Sequence, residues 1–238
     1  SARSGNRVEC RQPCRLTYDL TDGAGRKLKS GKHLLSVRDL DLSSHIGEMI
    51  DDGICSFKVE GRLKDISYIK NVVAYYRRRI DEELAARPAV QRSSVGESVI
   101  DFTPNPAKSF TRGESSYMFE GKRAGVASFD TPKAVGEYVG RVARVDSRTF
   151  SLDRSAELAA GDGLCFIADG ALTGTNVNSV EGRRVTPNRM EGITRGAEVY
   201  RNFDQRFRLA LDRSRTRRVI PATAMVAFDS EGVTLRYA

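Results

Sequence analysis

Histidine is nearly missing from this chain: His33 and His45 are the only two in 238 residues. There is no H-E-x-x-H, no G-x-S-x-G and no visible Cys-His or Ser-His arrangement, so ordinary hydrolytic machinery is not apparent. A phosphate-binding loop is missing too, since Gly121-Lys122-Arg123 and Gly161-Asp162-Gly163 lack the necessary context and read as turns. No apolar run approaches the roughly 20 residues that cross a bilayer. The opening SARSGNRVEC has no apolar core of the kind a signal peptide needs. Neither a membrane partner nor secretion is indicated. Cysteine is sparse, and Cys10, Cys14, Cys55 and Cys165 are spread unlike a disulfide framework, which points to a reducing, cytoplasmic setting. There is no initiator methionine, in agreement with a piece of a longer protein.

What is abundant is arginine. The net charge is +8 with a pI near 9.5, and the excess sits late. Between Arg183 and Arg218, eleven arginines face only Glu191, Glu198, Asp204 and Asp212, a local surplus of seven. Forked guanidinium groups suit phosphate, so RNA or another nucleic acid is the expected partner. The candidate contacts are Arg183, Arg184, Arg189, Arg195, Arg206, Arg208, Arg213, Arg215, Arg217 and Arg218. The interleaved acids leave a plain solvated surface as the other reading.

Along the chain, Leu16 to Leu20 and Lys27 to Leu35 flank Asp22-Gly23-Ala24-Gly25 and predict a hairpin. A helix follows, capped by Ser43 or Ser44, striped by Ile46, Met49 and Ile50, and ended by Gly53. Ile54 to Arg62 reads as a short strand with Phe57 and Val59 on one face and Lys58, Glu60 and Arg62 on the other. A long helix starts near Asp65 or Ser67. Ile66, Ile69, Val72, Val73, Tyr76, Ile80 and Leu84 should face inward and Arg77, Arg78 and Arg79 outward. Strand, helix, strand, helix implies parallel strands, and parallel sheets need both faces covered, so more of this unit is expected upstream.

Residues 88–137 are expected to form a linker and a strap anchored by Phe102, Phe110, Tyr117, Phe119 and Phe129. Short strands at Tyr138–Val145, Thr149–Leu152, Gly163–Ala168, Asn176–Val180, Ala197–Arg201 and Arg217–Ile220 predict a small antiparallel β-barrel or sandwich over 138–222. Residues 223–238 read as a hairpin around Asp229-Ser230-Glu231-Gly232, the start of a further domain.

Two constellations could carry chemistry. Cys10 and Cys14, spaced C-x3-C around Pro13, could bind a metal or an iron-sulfur cluster, although two thiolates are half of what a cluster usually takes. Two free thiols are the alternative. Cys55 and Cys165 read as small core residues. Lys58, Glu60 and Arg62 on one strand face would line a barrel interior near its mouth; an internal ion-pair layer is the other reading.

Three ordered blocks, SGNRVECRQPCRLTYDL, HLLSVRDLDL and SFKVEGRLKDISYIKNVVAYYRRRID, resemble the collagenase-like peptidase family U-32. FTRGESSYMFEGKR and the GEYVG run look like the downstream region of its longer members. The resemblance implies that residues 1–87 are the carboxyl-terminal part of an incomplete (β/α)8-type barrel, giving an α/β fold followed by a small β domain. It implies two further cysteines upstream that join the positions of Cys10 and Cys14 as iron-sulfur ligands. It also implies an enzyme that hydroxylates an RNA pyrimidine, in the long form a ribosomal RNA cytidine and in other members a tRNA base, with prephenate as co-substrate. Lys58 and Arg62 are then candidate partners of the anionic prephenate, and Glu60 an orienting or proton-accepting carboxylate. A metal-dependent collagenase-like protease and a non-catalytic RNA- or protein-binding module are the alternatives. The piece alone is expected to be inactive, and exposed barrel edges could pair copies.

Overall fold

The computed structural model describes residues 10–121, 125–168 and 171–237, so residues 4–9 of the first family block, Lys122 and Arg123, and Ala238 lie outside the described residues. The predicted amino-terminal hairpin forms. Asp22 Oδ1 accepts from the N–H groups of Ala24 and Arg26 at 3.0 and 2.9 Å, turning β1 (Tyr18–Thr21) into β2 (Lys27–Lys32). After β3 (Asp39–Leu40), a 3-10 turn over Ser43–His45 runs directly into α1 (Ile46–Asp51). No serine side chain caps this helix; the Ser43 N–H is instead held by Asp41 Oδ1 at 2.8 Å. Gly53 ends it as expected, at φ +87°.

Residues 54–62 depart most from expectation. They form no strand, and no described strand pairs with them. A strand without neighbours has no ladder and no interior face, so Cys55, Lys58, Glu60 and Arg62 are exposed rather than buried. Parallel pairing among the described residues is confined to β3 with β5 (Glu114–Ser115), and they form no (β/α)8 wall.

The long helix α2 (Ile66–Ala85) forms with Asp65 as its cap, the carboxylate accepting from the Tyr68 N–H at 2.8 Å. Val72 and Ala74 are buried, but Ile66, Ile69 and Val73 are exposed, because no sheet underlies that part of the stripe. Nor do the three arginines lean into solvent. Arg77 and Arg79 pair with Asp81 and Glu82, and Arg78 donates to the Phe102 carbonyl at 2.8 Å. Asn71, fully buried, ties α2 to the strap. Its amide nitrogen donates to the Asn105 carbonyl and Ser109 Oγ, both at 2.6 Å, and its Oδ1 accepts from the Asn105 N–H at 2.8 Å.

The strap begins with β4 (Glu97–Val99) and buries Phe102 against Ala74 and Leu211. Beyond it a closed antiparallel barrel is built from β6 (Glu137–Val145), β7 (Phe150–Leu152), β8 (Gly163–Ala168), β9 (Ala171–Glu181), β10 (Arg184–Pro187) and β11 (Glu198–Phe203), ordered β10-β7-β6-β11-β8-β9. Closure leaves no free edge in this unit. Alternate residues fill the interior, including Val142, Phe150, Leu164, Phe166, Val185 and Val199, with Phe150 and Phe166 edge-to-face at 5.6 Å. Cys165 is buried as expected.

Helix α3 (Gln205–Arg213) follows β11 with Asp204 as its cap, and β12 (Arg217–Val219) leaves the barrel to pair with β4. The predicted last hairpin forms as β13 (Ala224–Asp229) and β14 (Gly232–Tyr237), exposed throughout. No helix of the described residues is long and apolar enough to cross a membrane.

Candidate functional site

A cleft of about 820 Å³ opens between the Pro13–Arg15 turn, β3, the 54–62 segment, the start of α2 and the strap. The sequence blocks placed far apart along the chain converge here. Cys10 and Cys14 line it together with Lys58, Glu60 and Arg62. Both thiols are free and exposed, and the Gln12 N–H donates to Cys10 Sγ at 3.3 Å. Among the described residues no three His, Cys, Asp or Glu side chains gather into a group that could hold a metal. The pair therefore presents two thiols, half the number of cysteines that a four-cysteine cluster takes.

The charge of the cleft is lopsided. Arg15, Lys58, Arg62, Lys64 and Arg112 line it against Asp39 and Glu60. Asp39 is already engaged, accepting from the Arg112 N–H at 2.8 Å and from Arg112 Nη2 at 2.7 Å. Glu60 holds the amide of Arg62 at 2.9 Å, which shapes the turn before α2. The surplus of cations gives the cleft a positive potential, which draws anions towards it.

One wall is aromatic. Lys64 Nζ lies 2.9 Å from the centroid of the Phe110 ring, and the Arg112 guanidinium is 5.5 Å from the same centroid. Burial pushes the Lys64 ammonium down to about 8 against the pull of Asp39, with Arg112 and Arg15 pushing the same way as burial. Burial also raises the neighbouring Tyr68 phenol, helped by the charge of Asp39. The backbone is held unusually as well. Gln12, Leu63 and Tyr117 are the non-glycine residues with positive φ among the described ones, and all three line this cleft. Such conformations cost on the order of 1 kcal/mol or more each and concentrate at functional sites.

A second cleft of about 250 Å³ backs onto the first. It shares Leu63, Lys64, Tyr68 and Phe110, and its other walls come from Lys108, the end of β11 and α3.

The profile described as Peptidase family U32 matches residues 1–127, which takes in every element of the larger cleft. The chain belongs to peptidase family U32. It is 37% identical over 227 residues to the 23S rRNA 5-hydroxycytidine C2501 synthase of Escherichia coli (strain K12), covering 92% of this chain and 35% of that protein. Over 87 residues it is 45% identical to the tRNA hydroxylation protein P1 of Bacillus subtilis (strain 168), covering 34% of this chain and 21% of the relative. A collagenase of Porphyromonas gingivalis is 27% identical over 203 residues, 82% of this chain and 54% of the relative. The chain thus spans about a third of the first relative's length.

In this U32 chain the arginine-rich stretch is divided by the fold. Arg183, Arg184, Arg189, Arg195, Arg206, Arg213, Arg215, Arg217 and Arg218 are exposed, on the barrel, on α3 and beyond. Arg208 is committed to Asp65 and Asp212, and Arg218 to the carbonyls of Ser94, Val95 and Gly96. Arg201 is buried and pairs with Glu137, Asp162 and Asp204. Sequence reasoning missed Asp39, Lys64, Tyr68, Phe110 and Arg112 as site residues. Asp39 and Arg112 stand inside quoted family blocks, but their pairing across 73 positions leaves no local signal.

Proposed function

We propose that this chain is part of an RNA pyrimidine hydroxylase of family U32 acting on a ribosomal RNA cytidine. The observation that carries the reading is the 37% identity to a ribosomal RNA 5-hydroxycytidine synthase over 92% of the chain, through both the cleft and the barrel. A cation-rich cleft beside two free thiols supports it. Lys58 and Arg62, aided by Arg15, bind the carboxylates of prephenate, the co-substrate that the family resemblance implies, and Glu60, accepting from the Arg62 backbone N–H, fixes the turn that carries Arg62. Cys10 and Cys14 supply two thiolates of the implied iron-sulfur cluster, whose remaining ligands come from elsewhere in the assembled protein. Such a cluster offers electron-transfer chemistry when bound. The exposed arginines of the barrel and α3 hold RNA phosphates.

Mass analysis of ribosomal RNA nucleosides from a deletion strain tests the reading. Hydroxycytidine disappears and returns with the wild-type gene, but not with Cys10→Ser. An unchanged nucleoside profile, together with peptide cleavage by the purified whole protein, would establish the protease that the collagenase likeness favours.

A further inference from the structure

The wall between the two clefts has a cation that the proposed chemistry leaves unused. Lys64 is the one basic side chain lining both cavities among the described residues. The other cations of the smaller cleft are engaged: Lys108 pairs with Asp204 at 2.8 Å, and Arg208 with Asp65 at 2.9 Å and Asp212 at 3.2 Å. The Lys64 ammonium has no carboxylate within ion-pair distance among the described residues and stands on the Phe110 ring. A half-buried cation that no carboxylate pairs with directly among the described residues has lost hydration that an incoming anion restores, so it binds anions better than a fully solvated lysine does.

Across the wall, the smaller cleft is lined by Asn202 and Phe203 at the end of β11. Phe203 is 41% exposed, whereas Phe150 and Phe166, the other phenylalanines of the barrel strands, are buried inside it. Both residues lean on Gly163, where a Cβ would fall 2.7 Å from Asn202 Oδ1 and 3.1 Å from Phe203 Cβ. The glycine therefore makes room for this pair. An open aromatic face, an amide and a cation at the boundary are the three contacts a single-stranded nucleotide uses: stacking, edge hydrogen bonding and phosphate binding.

We propose that the target nucleotide of the RNA enters the larger cleft beside the prephenate site and that the smaller cleft seats its neighbour, with Lys64 on the phosphodiester between them and Phe203 and Asn202 on the neighbouring base. This rests on the reading of the protein as one that acts on RNA. The helix α3 and the barrel thereby become part of the substrate site instead of a distant basic surface.

The test is fluorescence anisotropy of the whole protein with a short single-stranded pyrimidine RNA and two shortened versions, each lacking one neighbour of the central nucleotide. Lys64→Gln and Phe203→Ala each weaken binding of the full oligonucleotide by about tenfold, the scale of one base–aromatic contact. The loss vanishes on the shortened RNA that lacks the seated neighbour. Asn202→Ala repeats the measurement if thermal melting shows that Phe203→Ala has misfolded. Equal losses on all three RNAs, or no loss, overturn the proposal, as does a loss confined to binding of prephenate or of a gelatin peptide. Hydroxylated-nucleoside analysis of the same RNA is scored separately. Coupling without product removes the enzymatic reading and keeps the subsite; product without coupling removes the subsite.

Discussion

At the residue scale, two buried or half-buried cations behave in opposite ways. Arg201 is surrounded by three carboxylates and donates to the Glu157 carbonyl at 2.7 Å, so its charge is fully answered. Burial works to raise the Asp204 carboxyl, yet the hydrogen bonds from Lys108 and the Phe207 N–H and the charge of Arg201 outweigh it and hold it below the usual range. Removing the guanidinium leaves buried carboxylates facing one another. Arg201→Met should therefore lower stability by about 3–5 kcal/mol, read from urea denaturation. Lys64 is the reverse case, a lysine the fold holds at a cost. Its folded pKa is about 8 against an ordinary value of 10.5, so between those pH values the unfolded chain binds the extra proton. Stability from this group rises with pH through that window and is lowest below it. Comparing urea midpoints at pH 7 and pH 9.5 checks this: Lys64→Met should be more stable than wild type at pH 7, with the gap narrowing at pH 9.5.

At the scale of elements, the junction of β11, α3 and the strap is the most constrained part of the chain. Gly136, at φ +79°, lies where a Cβ would overlap the Arg201 carbonyl and crowd Asn202. Gly136→Ala pairs a left-handed backbone with a backbone clash, and a loss of more than about 1 kcal/mol is expected from thermal melting. The elements differed in how readily they could be read. The hairpin turn, α2, the last hairpin and five strands of the barrel carried their own periodicity or turn residues. Helix α3 was hidden because it is only nine residues long and its apolar residues Phe207, Leu209, Ala210 and Leu211 lie among three arginines inside a basic stretch, and β10 because it is only four residues long, with Pro187 at its end. The segment 54–62 has a strand's alternation, but alternation describes side chains and a strand needs partners to bond with.

At the scale of the whole molecule, the exposed arginines make a quantitative claim about RNA binding. Affinity for a single-stranded RNA should fall linearly in log–log form as salt rises, by about 0.7 per phosphate neutralised. Replacing Arg189, Arg195 and Arg206 by glutamine should flatten that slope, while Arg201→Lys should not. A slope near zero in the wild type would contradict the assignment of the barrel to phosphate binding. Binding titrations across a salt series decide it.

The sequence alone determined the family, through three ordered blocks, and a small antiparallel β unit, barrel or sandwich, through the regular recurrence of short strands; its closure into a barrel came from the pairing of β10 with β7 and β9. The blocks and the strand recurrence are local signals: motif spacing and period-two alternation are properties of contiguous residues. Only the tertiary structure decided that Cys10, Cys14, Lys58 and Arg62 share a cleft with Lys64, Phe110 and Arg112, and that this cleft backs onto the end of the barrel. It also sorted the arginines, separating the buried Arg201 from its exposed neighbours. These are facts about which distant residues meet. They depend on packing and on the cost of leaving charge unpaired, which no stretch of sequence expresses by itself.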